Sequence, residues 1–399
     1  MSLQNTPSSE RLHIGFFGMR NAGKSSVVNA VTNQDLSVVS DVLGTTTDPV
    51  KKAMELLPLG PVVIIDTPGL DDEGYLGELR VKKAKEILAK TDIAVLVVDA
   101  TKGLSVEDKE LLSIFKERKL PFIVAYNKTD LISEKKELLE NEIYVSANTK
   151  ENIDKLKELL AKLSKNAKTE KPIISDLIDE GDLVVLVIPI DESAPKGRLI
   201  LPQQMVMRDI LDHHANCLCT QVEELGSTLN MLKVKPKLVI TDSQAFKAVA
   251  KIVPDDITLT SFSIIMARYK GDLKSLIQGA SMLSQLQTGD KVLIAEGCTH
   301  HRQCKDIGTV KMPNWIENFS NAKPQYTFTS GGSFPDDLSE FKLIVHCGGC
   351  MLNEKEMKRR MESSDAHSVP IVNYGVAIAH MHGILLRSLA PFPDIQKLL

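Results

Sequence analysis

The chain has 399 residues, 43% of them hydrophobic and 25% charged, and a formal net charge of −4. That length exceeds one ordinary core and calls for two or three domains of a soluble globular protein. The charge gives no bulk attraction to nucleic acid. No apolar run nears the ~20 residues of a membrane span, the polar residues 1–11 lack the apolar centre of a signal peptide, and six cysteines are too few for a secreted disulfide scaffold. These features predict a cytoplasmic protein with neither nucleic acid nor membrane as a partner.

Residues 12–17 read as a short apolar strand. Gly18-Met19-Arg20-Asn21-Ala22-Gly23-Lys24-Ser25 follows at once, and a helical stretch begins near Lys24. Strand, glycine loop and helix form the context a phosphate-binding loop requires. Its glycines let backbone N–H groups close around phosphates, Lys24 would pair with the β- and γ-phosphates, and the Ser25 hydroxyl would bind Mg²⁺. Asn21, Ala22, Gly23 and Ser26 complete the predicted loop contacts. Residues 62–65 form a buried strand that runs into Asp66-Thr67-Pro68-Gly69, where Asp66 can hold Mg²⁺ through water and the Gly69 N–H can sense the γ-phosphate. Strands follow at 94–98 and 122–125, the second ending in Asn127-Lys128-Thr129-Asp130. A carboxylate at Asp130 can accept hydrogen bonds from guanine N1 and N2. Adenine offers no such pair of donors, so the residue selects GTP over ATP. Val145 leads into Ser146-Ala147-Asn148, placed to give guanine O6 a backbone N–H. Helical spacing of Ile153, Leu156, Leu159, Leu160 and Leu163 closes a first domain at 1–168, and the lysine-rich stretch 164–171 before Pro172 reads as a linker.

A second α/β unit is predicted over 175–266. Residues 183–190 form a near-continuous apolar run suited to a strand covered on both faces, and shorter strands are read at 237–241 and 257–260. Helices are read at 203–215 and 243–252. His213, His214, Cys217 and Cys219 cluster here. A metal site is conceivable, but a core-facing cysteine pair beside partly exposed histidines is the preferred reading. The unit is small and has no site of its own, so it is expected to carry a homodimer contact.

The third unit, 267–399, alternates helix and strand: helix 273–286, strand 291–295, helix 314–319, strands 325–328 and 341–345, helix 353–361, strand 369–372 and helix 375–389. Such alternation implies a parallel sheet, and sites form outside the carboxyl ends of its strands. Cys298 and His300 follow one strand, and His346-Cys347-Gly348-Gly349-Cys350 follows another. Three thiolates with a weak or absent fourth ligand suit an iron–sulfur cluster, whereas a closed Cys₃His zinc site uses the same residues. Ordinary buried thiols are the bland alternative. The strand-end placement favours the cluster. Cys304 is a spare candidate nearby, and His301 has no assigned role.

Four nucleotide motifs in this order resemble the translation-factor-like GTPases. Gly44-Thr45-Thr46-Thr47-Asp48 resembles the first switch of the Era- and TrmE-like branch, which makes Thr46 the leading Mg²⁺ ligand, with Thr45 and Thr47 as neighbours. Asn21 matches the asparagine that binds K⁺ in members of that branch. Leu70 stands after Gly69, in place of the glutamine that positions water elsewhere, so slow hydrolysis helped by a cation or partner is expected. Lys24, Thr46 and Gly69 are the catalytic candidates. Joined to Cys-x-His and His-Cys-x-x-Cys, these motifs resemble the HydF family, maturation GTPases of [FeFe]-hydrogenases, along essentially the whole chain. The resemblance implies GTPase, dimerisation and cluster-binding domains, and a [4Fe–4S] cluster on Cys298, Cys347 and Cys350, with His300 or His346 as an exchangeable fourth ligand. It also implies a scaffold that takes a two-iron precursor from the radical-SAM maturases HydE and HydG and delivers it to the apo-hydrogenase. A second class of function is a GTP-switched structural or ribosome-associated protein with a zinc module, which a net charge of −4 supports little.

Overall fold

The computed structural model describes residues 10–34, 50–67, 87–88, 90–167, 171–190, 197, 199–297, 307–331, 333–349 and 352–397. The chain forms two compact units, Met1–Glu170 and Lys171–Leu399.

In the first unit six strands make one sheet: β1 (Leu12–Phe17), β2 (Val50–Leu56), β3 (Gly60–Asp66), β4 (Ile93–Asp99), β5 (Phe122–Asn127) and β6 (Glu142–Tyr144). Their order is β2-β3-β1-β4-β5-β6. Only β2 runs antiparallel, as a hairpin with β3. The central strands are apolar at nearly every position because both faces of the sheet are covered. Ile14 and Phe16 point to one side, against Val27, Val28 and Val31 of the helix Lys24–Thr32. Phe17, Val63 and Ile65 point to the other, against Leu96 and Phe115. The helix Val106–Glu117, which carries Phe115, starts with a reciprocal cap. Ser105 Oγ accepts from the Asp108 N–H at 3.0 Å, and Asp108 Oδ2 accepts from the Ser105 N–H at 3.1 Å.

The second unit contains two wholly parallel four-stranded sheets. One comprises β7 (Leu183–Val187), β8 (Asn216–Thr220), β9 (Leu238–Thr241) and β10 (Thr258–Ser261), in the order β10-β9-β7-β8. The other comprises β11 (Lys291–Ala295), β12 (Gln325–Thr329), β13 (Leu343–His346) and β14 (Ile371–Asn373), in the order β12-β11-β13-β14. The chain is thus α/β throughout, a P-loop-type domain followed by further α/β structure with mainly parallel sheets. The regions expected at 175–266 and 267–399 each own a sheet, yet they pack as one unit. Arg387 donates to the carbonyls of Ala250 at 2.8 Å and Val253 at 2.7 Å, and Thr260 Oγ1 donates to the Ser388 carbonyl at 2.7 Å.

Several elements differ from the sequence expectation for identifiable reasons. The run 183–190 is a strand only as far as Val187, since Pro189 has no N–H to offer a ladder. The helix expected over 273–286 is regular through Ala280 and tightens into a 3₁₀ turn at Ser281–Gln285. The helix expected over 375–389 is two pieces, Tyr374–Met381 and Leu385–Ser388, because Gly383 takes φ +69° between them. Cys217 and Cys219 share one face of the edge strand β8. Cys217 is half-buried against the core, but Cys219 is exposed, so the expected core-facing pair holds at one residue only. His213 Nδ1 bonds to the Asp209 carbonyl at 3.1 Å, and among the described residues no group of three or more metal-binding side chains gathers.

The helix Leu273–Ala280 lies so close to β14 that a Cβ on Gly279 would sit 2.0 Å from the Ile371 carbonyl oxygen. Backbone on both sides leaves little room to relax. Gly279→Ala is expected to lower unfolding stability by about 1–3 kcal/mol. An unchanged urea midpoint would show that the helix slides freely on the sheet.

Candidate functional site

The first candidate site lies at the carboxyl ends of β1, β3 and β5. The loop after β1 needs its glycines. Gly18 has φ +136°, and a Cβ there would meet the Val97 carbonyl oxygen at 2.2 Å. Gly23 has φ +86°, and its Cβ would meet Asn127 Nδ2 at 2.3 Å. Lys24 is buried and folds back, its Nζ donating to the carbonyls of Gly18 at 2.9 Å and Met19 at 2.8 Å. The ammonium is therefore held inside the loop that phosphates would enter. Ser25 Oγ donates to Asp66 Oδ2 at 2.7 Å. A hydroxyl and a carboxylate facing each other at the loop are the hard oxygen donors that Mg²⁺ takes, so these residues fit the ion. Thr67 fixes the end of β3, its Oγ1 donating to the Phe16 carbonyl at 2.7 Å. Asn21 sits exposed in the left-handed region at φ 60°. Thr45, Thr46, Thr47, Gly69 and Leu70 lie outside the described residues.

The base-recognition side is tied to the phosphate loop by one buried residue. Asn127 Nδ2 donates to the Ala22 carbonyl at 3.0 Å, and its Oδ1 accepts from the Ala147 N–H at 3.0 Å. One amide thus joins three loops that are far apart in sequence. Lys128, at φ 68°, reaches Asp99 Oδ2 at 2.6 Å. Burial raises the Asp99 carboxyl, but the hydrogen bonds from Lys128 and Thr101 outweigh it and bring it below its ordinary value. Asp130 is exposed and accepts from Ser146 Oγ at 2.6 Å, a bond that holds its carboxyl below the usual range. It is therefore an ionised acceptor turned to solvent, which is the state guanine N1–H and N2–H require. Asp99 escaped the sequence reading, its only signal being a polar residue at the end of an apolar strand, and Thr67 was quoted within its motif without a role.

The second candidate site lies at the carboxyl ends of β11 and β13. These strands pair in parallel with Ala295 opposite His346, so the chain leaves both at the same level. Cys347 is half-buried, and its Sγ accepts from the Gly297 N–H at 3.0 Å and the Gly349 N–H at 3.4 Å. Gly349 has φ +64°, and a Cβ there would meet Met357 Sδ at 2.7 Å. A sulfur that accepts two backbone N–H groups at a strand end fits thiolate ligation of a cluster, and the Gly297 contact places the residue before Cys298 against Cys347. Cys298, His300, His301, Cys304 and Cys350 lie outside the described residues.

His346 has a different place from the one expected. It is fully buried, and both ring nitrogens are engaged. Nδ1 faces the Cys347 carbonyl at 2.6 Å and must donate to it; Nε2 faces Arg360 Nη1 at 2.9 Å and must accept. Burial, with the Arg360 charge behind it, brings His346 down to about 4, so the ring is neutral at pH 7. Both ring nitrogens of His346 are thus taken up by protein partners, which does not fit the expected role of an exchangeable ligand. Arg360 was missed in the sequence because an arginine on a charged helix reads as surface. Here it is wholly buried: Nε donates to Glu356 Oε1 at 2.9 Å, Nη2 donates to the Gly331 carbonyl at 2.7 Å, and the guanidinium lies 4.9 Å from the Phe334 ring centroid.

Comparison with known proteins gives three family matches. Residues 13–128 match the 50S ribosome-binding GTPase model, 173–271 the hydrogen maturase F dimerization domain, and 274–391 the hydrogen maturase F tetramerization domain. The two maturase models together cover more than half of the chain. GTPase Der of Mycoplasmopsis agalactiae is 32% identical over 193 residues, which is 43% of this chain and 44% of that protein. The tRNA modification GTPase MnmE of Chromobacterium violaceum is 33% identical over 159 residues, 39% of this chain and 35% of that protein. The chain spans less than half the length of the curated relatives it matches. A crystal structure of Aquifex aeolicus Era is 19% identical with a TM-score of 0.35, covering 55% of this chain and 98% of that one.

Asp130→Asn replaces the exposed acceptor with a group that offers one oxygen and two N–H donors. GTP affinity is expected to fall by about tenfold or more, and xanthosine triphosphate affinity to rise, because a site built around a donor pattern rejects its inverse. Unchanged GTP affinity in a fluorescent-nucleotide titration would count against this base site.

Proposed function

The chain belongs to the hydrogen maturase F family, and from that premise we propose that it is a GTP-hydrolysing scaffold for assembly of the [FeFe]-hydrogenase active site. In this reading it carries a [4Fe–4S] cluster on Cys298, Cys347 and Cys350. It receives a two-iron precursor from the radical-SAM maturases HydE and HydG, and delivers it to the apo-hydrogenase in the cytoplasm. The observation that carries the cluster assignment is the pair of backbone N–H groups on Cys347 Sγ at the shared exit of two parallel strands. The proposed domains are a GTPase at 1–168, a dimerisation region at 175–266 and a cluster-binding region at 267–399. The last overlaps the matched tetramerization model, so the same region would also serve higher assembly. Among the described residues no helix is long and apolar enough to cross a membrane.

At the nucleotide site Lys24 binds the β- and γ-phosphates, and Ser25, Asp66 and Thr46 supply hard oxygens for Mg²⁺, which neutralises developing phosphate charge when bound. Asn127 keeps the phosphate loop in register with the base loop through its bonds to Ala22 and Ala147, Asp130 accepts from guanine, and a backbone N–H of the Ser146-Ala147-Asn148 loop would meet guanine O6. Gly69 senses the γ-phosphate. Asn21 is the proposed K⁺ ligand. At the other site Cys298, Cys347 and Cys350 would hold the cluster, which would supply an iron open to an incoming precursor. The chain's part is to hold Cys347 by two N–H groups and to keep the fourth ligand weak, with imidazole from His300 as the candidate.

Anaerobically purified protein should contain iron and sulfide near four of each per chain, a stoichiometry set by the cluster type. Cys298→Ala, Cys347→Ala and Cys350→Ala should each abolish it, while Cys304→Ala should not. Stoichiometric zinc without sulfide would favour the zinc-module reading instead. Retention of the cluster in Cys298→Ala, with loss in Cys304→Ala, would overturn the ligand set.

Asn21 at the phosphate loop and Leu70 in place of a water-positioning glutamine motivate a cation test. GTP hydrolysis should run at least about tenfold faster in K⁺ than in Na⁺ at equal ionic strength, since a monovalent ion beside the phosphates would stand in for an arginine finger. Equal rates in the two salts would sink the idea.

A further inference from the structure

The group behind Cys347 is built at a cost that needs a reason. Arg360 is one of the largest side chains in the protein with no solvent exposure, and Glu356, its counter-charge, is 1% exposed. A buried ion pair is weak evidence for stability, because taking both charges out of water offsets much of their attraction. An apolar pair of equal volume would pack the helix Glu354–Ala366 as well. The guanidinium fork is nevertheless divided among three partners: Glu356, the Gly331 carbonyl and His346 Nε2. The third is the informative one. Because a guanidinium can only donate, its bond to Nε2 fixes the His346 proton on Nδ1. That proton is then aimed at the carbonyl of Cys347, whose own sulfur holds two N–H groups.

We propose that Glu356, Arg360 and His346 form a buried positioning relay for Cys347, in which Arg360 orients the His346 ring, the ring pins the Cys347 carbonyl, and the permanent guanidinium charge stands behind the thiolate. His346 is a positioning residue in this scheme and not a ligand. The relay rests on the cluster reading only for its purpose; its geometry is made by protein side chains and backbone alone. Fixing the backbone at one cysteine while the fourth position stays exchangeable keeps the thiolate in place when the open iron takes up cargo. A buried cation near the sulfur also favours the more negative, reduced cluster.

The test uses the full chain with three substitutions. Arg360→Met removes the fork and the charge but leaves Glu356 bonded by Arg359, whose Nε and Nη2 each reach its carboxylate at 2.9 Å. Arg360→Lys keeps the charge without the fork. His346→Asn places an amide N–H where Nδ1 stood. In the metal-free chain, amide hydrogen exchange over residues 343–349 should be about tenfold faster in Arg360→Met and close to wild type in His346→Asn. After reconstitution with ferrous iron and sulfide, Arg360→Met should lose iron to a chelator roughly tenfold faster, the scale of outer-layer effects at metal sites. Its midpoint potential should be more negative, while Arg360→Lys keeps the wild-type potential and shares the faster iron loss. Nitrogen couplings in the EPR spectrum should be unchanged in His346→Asn. Exchange over 343–349 unaltered in Arg360→Met would overturn the relay, and so would loss of a nitrogen coupling in His346→Asn. Wild-type protein that takes up no iron or sulfide would sink the cluster reading by itself, since the exchange experiment still decides the relay.

Discussion

Parallel pairing puts the carboxyl ends of neighbouring strands on one edge of a sheet, and both candidate sites of this chain depend on that constraint. In the first unit, β1, β3 and β5 bring the phosphate loop, Asp66 and Asn127 to one edge. In the second, the register of Ala295 with His346 delivers the Cys298 and Cys347 loops side by side. Helices cover both faces of such sheets, so the edges are where polar groups can gather without interrupting a core. The two sites use different chemistry on the same architectural footing.

They also share a device. Each is organised by a single buried side chain with both donor and acceptor capacity. Asn127 donates to the phosphate loop and accepts from the base loop. His346 donates to the Cys347 carbonyl and accepts from Arg360. Leaving either half of such a group unsatisfied in a dry interior would cost about 1–3 kcal/mol, so each acts as a two-sided clamp. The glycines around these clamps follow from the same crowding. Gly23 against Asn127 and Gly349 against Met357 have no room for a Cβ, and both hold positive φ.

Much of this was legible in the chain, and the pattern of omissions is physical. Strands buried on both faces announce themselves as apolar runs, so β1, β3, β4, β5, β7, β11 and β13 were readable. The edge strand β2, Val-Lys-Lys-Ala-Met-Glu-Leu, has one solvated face and little apolar content, and only the Pro58-Leu59-Gly60 turn hinted at a hairpin. The helix Val106–Glu117 had a signal in Ser105 and Asp108, three residues apart, that the motif-led reading passed over. Nucleotide residues were legible because their spacing is local to each loop. Arg360 was not, since its burial depends on Phe334, Gly331 and His346, which meet it only in the folded chain. His346 was expected, with His300, as a candidate exchangeable fourth ligand on the family resemblance. Sequence adjacency could not reveal that its ring turns away into the core.

The Arg387 fork has a consequence for how the second unit comes apart. Its donors end on carbonyls of Ala250 and Val253, Ser388 receives the Thr260 hydroxyl, and Ile384 packs on the cores of both sheets. Severing the chain near residue 270 would strip the middle sheet of these partners and expose the apolar face under Ile384. The two sheets therefore constitute one cooperative folding block, with a common opening free energy for their cores. The region matched to the dimerization model and the region that carries Cys347 are therefore expected to unfold together.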